Sequence, residues 1–233
     1  MIGQGLLDVF FPRFCIACQQ AIFKKSPMYL CEDCFQKIVF NRGAYCYYCG
    51  RAMGTEYDSV CMNCVELKPY FKEGISLIAY NAIERSFIHA LKYNHGSYLK
   101  RDLNLLLEHE SDRLKALKNA SLVPVPLHFL RKWKRGYNQS EWIAKALQKL
   151  LGGEILPLLK RKVNTRSQTS LTRSERKKNV ENVFTLAKKT IDPQKTYVLV
   201  DDVFTTGATL NACAKVLHEN GAQNIRVFTL AHG

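Results

Sequence analysis

The sequence predicts an α/β protein in two parts: a cysteine-rich module over residues 1–70, then a parallel sheet flanked by helices over residues 71–233. Three observations lead there. Eight of the nine cysteines fall into CxxC pairs before residue 65. Beyond Pro69, strand-length apolar runs alternate with amphipathic helical stretches, the pattern of a parallel sheet. One of those runs, "YVLV", ends in Asp201–Asp202 and feeds a small-residue loop, "VFTTGATL".

The cysteine pairs are Cys15–Cys18, Cys31–Cys34, Cys46–Cys49 and Cys61–Cys64, separated by 12, 11 and 11 residues. A CxxC turn aims two thiolates at one ion, and two such turns complete a tetrahedral zinc site. The near-constant spacing points to structural Zn2+, one or two ions. The simplest wiring is sequential, Cys15/Cys18/Cys31/Cys34 and Cys46/Cys49/Cys61/Cys64; a cross-braced wiring also fits the spacing. A disulfide scaffold would need an oxidising compartment. The N-terminus lacks the basic region and cleavage site of an exported chain. No apolar run reaches the roughly 18 residues of a membrane span. A cytoplasmic location is expected. The apolar start "GLLDVFFPRF" is expected to pack through Leu6, Leu7, Phe10 and Phe11, with a shallow contact at the inner face of the membrane as the alternative. Cys213, alone in a helical pattern, reads as a small core residue.

Past Pro69 the elements follow in order. "ISLIAY" (75–80) reads as a strand. Residues 83–93 read as a helix with Ile83, Phe87 and Leu91 on one stripe. A more charged helix is expected over 98–117. "SLVPVPL" (121–127) is a short buried strand, and "QSEWIAKALQKLL" (139–151) a helix with Trp142, Ile143, Ala146, Leu147 and Leu150 inward. "YVLV" (197–200) is apolar throughout, as a strand buried on both faces should be. Residues 208–220 form a helix stopped by Gly221, and "IRVFTLA" (225–231) is the closing strand.

Charge narrows the partners. Residues 1–70 hold seven basic and six acidic side chains, whereas residues 71–233 hold 27 and 14. The net charge of +14 favours a polyanion: nucleic acid, an anionic membrane surface or a phosphorylated ligand.

Ligands of open α/β sheets bind at the carboxyl ends of strands. There, Thr205, Thr206, Gly207, Ala208 and Thr209 offer hydroxyls and backbone N–H groups at a helix N-terminus, a phosphate cradle. Gly207 lets the backbone approach closely. Two carboxylates beside a phosphate repel it unless they have another target, such as ribose hydroxyls or Mg2+. A nucleotide-hydrolysing P-loop is excluded, since no GxxxxGK[ST] occurs.

"VLVDDVFTTGAT" resembles the phosphoribosyl-pyrophosphate motif of type I phosphoribosyltransferases. Phe204 departs from it, standing where a smaller aliphatic residue is usual, and is expected to alter packing rather than ligand contacts. Nearly the whole chain is similar to the ComF family of competence proteins, in which a type I phosphoribosyltransferase-like domain follows a double zinc ribbon. The four CxxC pairs, "IHALKYNHG" (88–96), "LVPVPLHFLRKWKRGYNQS" (122–140) and "RKVNTRSQTSLTRSERKKNV" (161–180) carry that resemblance. It implies that Asp201 and Asp202 hold the ribose hydroxyls and that Thr205, Thr206, Gly207, Ala208 and Thr209 cradle the 5′-phosphate. It places Lys92 and Tyr93 in a pyrophosphate loop, the lysine as a point charge against the diphosphate. Mg2+ would accompany the phosphoribosyl pyrophosphate.

Two basic stretches remain. "HFLRKWKRGYNQS" gathers His128, Arg131, Lys132, Lys134 and Arg135. Residues 160–178 hold eight basic residues and one acid, among them Arg161, Lys162, Arg173, Arg176 and Lys177. Both suit a pyrophosphate or a nucleic-acid backbone, and Trp133 and Tyr137 would add stacking on a single strand. In the fold the chain resembles, residues 160–178 are where a flexible loop closes over the reacting centre. His128 reads as a hydrogen-bonded structural histidine rather than a base.

Three functions stay open. One is a competence factor handling incoming single-stranded DNA, with a phosphoribosyl-pyrophosphate site. Another is an active phosphoribosyltransferase, a pentosyl-transferring enzyme of unassigned acceptor. The third is a zinc-ribbon adaptor docking a DNA-uptake or recombination protein. The sequence closes at Gly233, just after its last strand, with no C-terminal hood over an acceptor, and the zinc module, which alone could cover the site, shows no acceptor-specific motif, so the first is the expectation.

Overall fold

The computed structural model describes residues 12–22, 28–93, 96–162, 183–187 and 190–233. The apolar start and most of the second basic stretch, including Arg166, Arg173, Arg176, Lys177 and Lys178, lie outside the described residues.

The cysteine module is built from two knuckle pairs. Strands β1 (Arg13–Phe14) and β2 (Ala21–Ile22) pair around the first CxxC turn. Cys31 and Cys61 each stand at the N-cap of a short helix, α1 (Glu32–Gln36) and α2 (Met62–Leu67). The larger part runs β3 (Glu73–Ala79), α3 (Ala82–Lys92), α4 (Lys100–His109), α5 (Ser111–Leu114), β4 (Ser121–Pro124), α6 (Phe129–Arg135), α7 (Gln139–Leu151), β5 (Glu154–Ile155), β6 (Leu159–Arg161), β7 (Phe184–Leu186), β8 (Thr196–Phe204), α8 (Ala208–Glu219) and β9 (Asn224–His232).

Five of the described strands form one parallel sheet in the order β3-β9-β8-β4-β5, and β6 and β7 form a separate antiparallel hairpin. Alternate residues of the central strand β8 sort to opposite faces, as the two-residue period demands. Val198 and Val200 pack with Leu91, Leu103, Ile143 and Leu147 from α3, α4 and α7. Tyr197 and Leu199 pack with Leu210, Cys213 and Leu217 of α8, where Cys213 is a buried core residue.

The two cysteine clusters divide between these faces. Cys15 and Cys34 belong to the first core, and Cys46, Cys49, Cys61 and Cys64 to the second. The chain between them crosses the sheet edge at β3. Phe40 bridges antiparallel to Ile78. The Asn41 N–H donates to Leu77 O (3.0 Å) and the Ala79 N–H to Val39 O (2.8 Å). Unpaired edge groups of β3 are thereby satisfied. Two close approaches seat the second ribbon on β3: a Cβ on Gly50 would lie 2.5 Å from Ser76 N, and one on Gly74 would lie 2.1 Å from Tyr48 O. On the other face, Asp102 Oδ1 accepts the N–H groups of Tyr29 and Leu30 at 2.9 Å each, tying the first ribbon to α4.

Two expectations are corrected, and one helix is added. Strand β8 does not end at the acid pair but runs to Phe204, because β9 stays in register with it to His232 and gives Val203 and Phe204 ladder partners. The single helix expected over 98–117 is a 3₁₀ turn (Gly96–Leu99), α4, α5 and a second 3₁₀ turn (Lys115–Leu117). It breaks at Glu110, whose carboxylate is held by Arg42 (Nε to Oε1, 3.0 Å). The basic cluster at 128–135 is a helix, α6, closed by Gly136 in the left-handed region (φ 81°).

Candidate phosphoribosyl-diphosphate site with a double zinc ribbon

The acid pair, the loop and helix α3 meet in one cavity of about 510 Å³ at the carboxyl end of the sheet. Asp201, Asp202, Thr205, Thr206, Gly207, Ala208, Thr209 and Lys92 all line it. Thr205 to Gly207 connect β8 to the N-terminus of α8, whose first N–H groups have no partner earlier in the helix. Gly207 stands at the N-cap with φ 75°. A Cβ there would lie 2.5 Å from Phe204 Cζ and 2.6 Å from Leu67 Cδ2, so only glycine fits this turn. Phe204 is buried, stacked on His232 with centroids 5.1 Å apart. Its ring therefore faces packing, beneath the loop.

Lys92 enters from the last turn of α3, its ammonium 3.1 Å from Asp202 Oδ2. Burial alone would depress this lysine, but Asp202 and Asp201 outweigh burial and raise its pKa. Asp201 is pushed up to about 7 by burial and by the adjacent Asp202, with Lys92 opposing. Ser140 Oγ donates to Asp201 Oδ1 at 3.0 Å, as does the Asp202 N–H at 2.9 Å. Lys92 is thus set against two adjacent acids.

Tyr93 follows Lys92 and is half exposed, with the Arg135 guanidinium 5.3 Å from its ring centre. Asn94 and His95 lie outside the described residues. Arg131 and Arg161 also reach this end: burial and the neighbouring Arg135 lower the pKa of Arg131, while burial and Arg131 lower that of Arg161, against the pull of Asp201. Arginines remain charged through such shifts. The cations of two distant sequence stretches thus converge beside Asp201 and Lys92. Lys162 lies just past them, exposed at the end of β6. Among the predicted basic residues, Arg173, Arg176 and Lys177 lie outside the described residues. His128 is the N-cap of α6, its Nδ1 accepting the Leu130 N–H at 3.3 Å.

Several contributors were missed in the sequence. Arg85 and Tyr80 line the cavity, the guanidinium 5.7 Å from the ring centre. Arg85 is two turns before Lys92, so it shares the helix face that meets the phosphate loop; that spacing was the available signal. Tyr137 braces the opposite side. Its hydroxyl donates to Leu91 O (2.8 Å) and accepts the Gly96 N–H (3.2 Å), while its ring stacks on Trp142 at 3.9 Å. Asn138 caps α7 through Oδ1 and donates to Val125 O (2.9 Å). "RGYNQS" is thus a clasp spanning the segment after α3, strand β4 and Asp201.

The cysteines form two clusters in the sequential wiring, Cys15/Cys18/Cys31/Cys34 and Cys46/Cys49/Cys61/Cys64, with the sulfurs of each within 4.8 Å of one another. Cys18 and Cys31 Sγ are 3.7 Å apart, and Cys49 and Cys61 Sγ 3.8 Å. A tetrahedron with Zn–S of about 2.3 Å needs edges of about 3.8 Å, so both donor sets fit structural zinc. The Cys31 and Cys61 N–H groups donate to Cys15 and Cys46 Sγ at 3.4 Å, which favours thiolates. Closed four-thiolate sites leave no open position for catalysis.

The second cluster touches the loop after β8. Asn63, inside the Cys61–Cys64 turn, donates to Thr206 O at 3.5 Å. Asn211 of α8 accepts the Tyr70 N–H (2.7 Å) and donates to Leu67 O (3.3 Å).

Fold and site together define a phosphoribosyltransferase-type domain carrying two four-cysteine ribbons. Comparison with known families agrees: residues 6–65 match the double zinc ribbon domain and residues 111–233 the phosphoribosyl transferase domain. The chain is 32% identical to Competence protein F of Haemophilus influenzae, covering 87% of this chain and 90% of that protein. It is 32% identical to Competence protein ComFC of Streptococcus pneumoniae, covering 86% of each. It is 31% identical to DNA utilization protein YhgH of Salmonella typhi, covering 94% of this chain and 96% of that protein. The chain belongs to the ComF family, a double zinc ribbon joined to a phosphoribosyltransferase-type domain.

Proposed function

We propose that this protein binds Mg2+-phosphoribosyl pyrophosphate in the cavity at Asp201–Thr209 and serves in handling incoming single-stranded DNA during natural competence. The observation that carries the ligand is the placement of Lys92, two adjacent carboxylates and a helix-N-terminal loop in one cavity. Asp201 and Asp202 accept hydrogen bonds from the ribose hydroxyls. The loop N–H groups and threonine hydroxyls hold the 5′-phosphate. Mg2+ travels with the diphosphate and neutralises part of its charge. Lys92 exchanges Asp202 for that diphosphate, with Arg131, Arg135 and Arg161 nearby to share the load.

The competence role rests on the kinship with proteins named for competence and DNA utilization, and on the basic charge of the larger domain. The work is placed on the cytoplasmic side, where reduced cysteines retain zinc. Among the described residues no helix is long and apolar enough to cross a membrane. Calorimetry with phosphoribosyl pyrophosphate and Mg2+ tests the ligand: binding is expected for the native protein and lost in Asp201→Ala/Asp202→Ala. Absence of heat with the native protein overturns it.

One observation favours turnover as a second reading. Arg135 acts electrostatically on Lys92, and Arg161 on Asp201, and preorganised cations beside the reacting centre would stabilise the charge that develops as the anomeric bond breaks. Pyrophosphate release across candidate acceptors, DNA included, tests it.

A further inference from the structure

Helix α6 presents two different faces. Arg131 and Arg135, one turn apart, face Tyr93, Arg135 lying over its ring and Arg131 close enough to act on it electrostatically. Phe129 and Trp133 are also one turn apart, and at 100° per residue they project from nearly the opposite side. Phe129 is 68% exposed and Trp133 85%, with Leu130 beside them at 45%. No residue of α6 is buried. Aromatic rings this exposed on one helical stripe mark an interaction surface.

We propose that this outer face binds single-stranded nucleic acid, a base held between Phe129 and Trp133 with its flanking phosphates on Lys132 and Lys134. Residues four apart on a helix have Cβ atoms about 5–6 Å apart. That approaches the two stacking intervals of about 3.4 Å that a base between two rings requires. Stacking on aromatic rings is tolerant of sequence, since every base has a π-face. Charge selects the occupant: α6 carries four cations and no acid, Arg131, Lys132, Lys134 and Arg135. Lys132 holds Glu141 Oε1 at 2.7 Å in an exposed pair that a phosphate can displace, whereas an apolar protein partner would strip water from this cationic surface and offer it no charge in return. A polyanion with exposed planar bases satisfies rings and cations together. This inference rests on the single-strand role proposed above but locates it on a surface apart from the phosphoribosyl cavity.

The protein has two tryptophans, and Trp142 is stacked on Tyr137. Titrating the full-length protein with a 20-mer of deoxythymidylate should quench the Trp133 emission. Phe129→Ala/Trp133→Ala should weaken binding about tenfold, within the range for losing a stacked base. The same variant should bind phosphoribosyl pyrophosphate as the native protein does, and should differ little from it towards an abasic oligomer of equal length. Because both side chains are exposed, the fold is expected to survive. Unchanged affinity for the oligomer in this variant overturns the proposal, as does quenching by anionic vesicles but not by the oligomer. Loss of binding only when Arg161 and Lys162 are neutralised would refute the α6 site while sparing the single-strand reading. A native protein that binds no oligomer would remove both.

Discussion

The Tyr137 hydroxyl donates to the carbonyl oxygen of Leu91 across 2.8 Å. It joins the approach to α7 to the last turn of α3, from which Lys92 reaches the acid pair. Tyr137→Phe keeps the stack on Trp142 and removes this bond together with the one accepted from the Gly96 N–H. A net hydrogen bond is worth about 1 kcal/mol, so with two lost thermal unfolding should fall by about 4–8 °C. Calorimetry should show phosphoribosyl-pyrophosphate affinity reduced several-fold as the segment after Lys92 loosens.

Lys92→Met should cost more in binding. It removes the counter-ion of Asp202 and the point charge offered to the diphosphate. Affinity is expected to drop at least tenfold, as losing a charge-assisted contact implies. The salt dependence of binding should flatten in parallel.

Asp201 sets a pH dependence. Its pKa in the folded protein, about 7, stands above the unfolded value of about 3.9. The native state therefore holds a proton that the unfolded chain has released. The stability from this group is complete below pH 4 and is lost as pH rises through 7. Asp201→Asn should melt higher than the native protein at pH 8, by about 2–4 °C per kcal/mol recovered. The gap should close near pH 4, and calorimetric or fluorimetric melts across this range check it.

The second ribbon should govern ligand affinity while the first does not. Leu67→Ala opens space beside Gly207, and Asn63→Ala removes the contact to Thr206. Both should retain two zinc ions by elemental analysis yet bind phosphoribosyl pyrophosphate several-fold more weakly. Asp102→Ala, which frees the first ribbon from α4, should lower the melting temperature with little change in that affinity.

Much of this site was legible because it lies in one contiguous stretch. Residues 198–210 hold strand, acids, loop and helix start in order, and the structure keeps them together. Helices 139–151 and 208–219 were legible from their apolar period. Helix α6 was not, because it buries nothing and so carries no stripe. The extent of β8 was hidden by Asp201 and Asp202, which interrupt the apolar run although β9 supplies their ladder. The break at Glu110 and the clasp at Tyr137 depend on Arg42 and Leu91, residues far away in sequence. No local pattern announces such partners.

The antiparallel contact of residues 39–41 with β3 also has a bearing on the order of synthesis. Strand β3 leaves the ribosome long before β9, its partner within the sheet. Non-local pairings of this kind form late, and a waiting edge is an invitation to aggregate. The segment between the ribbons, made just ahead of β3, is the partner already at hand. Metal-driven folding of the two knuckles would fix that segment in place. Zinc supply would then act on the nascent chain as a guard for its first strand, well before there is any cavity to fill.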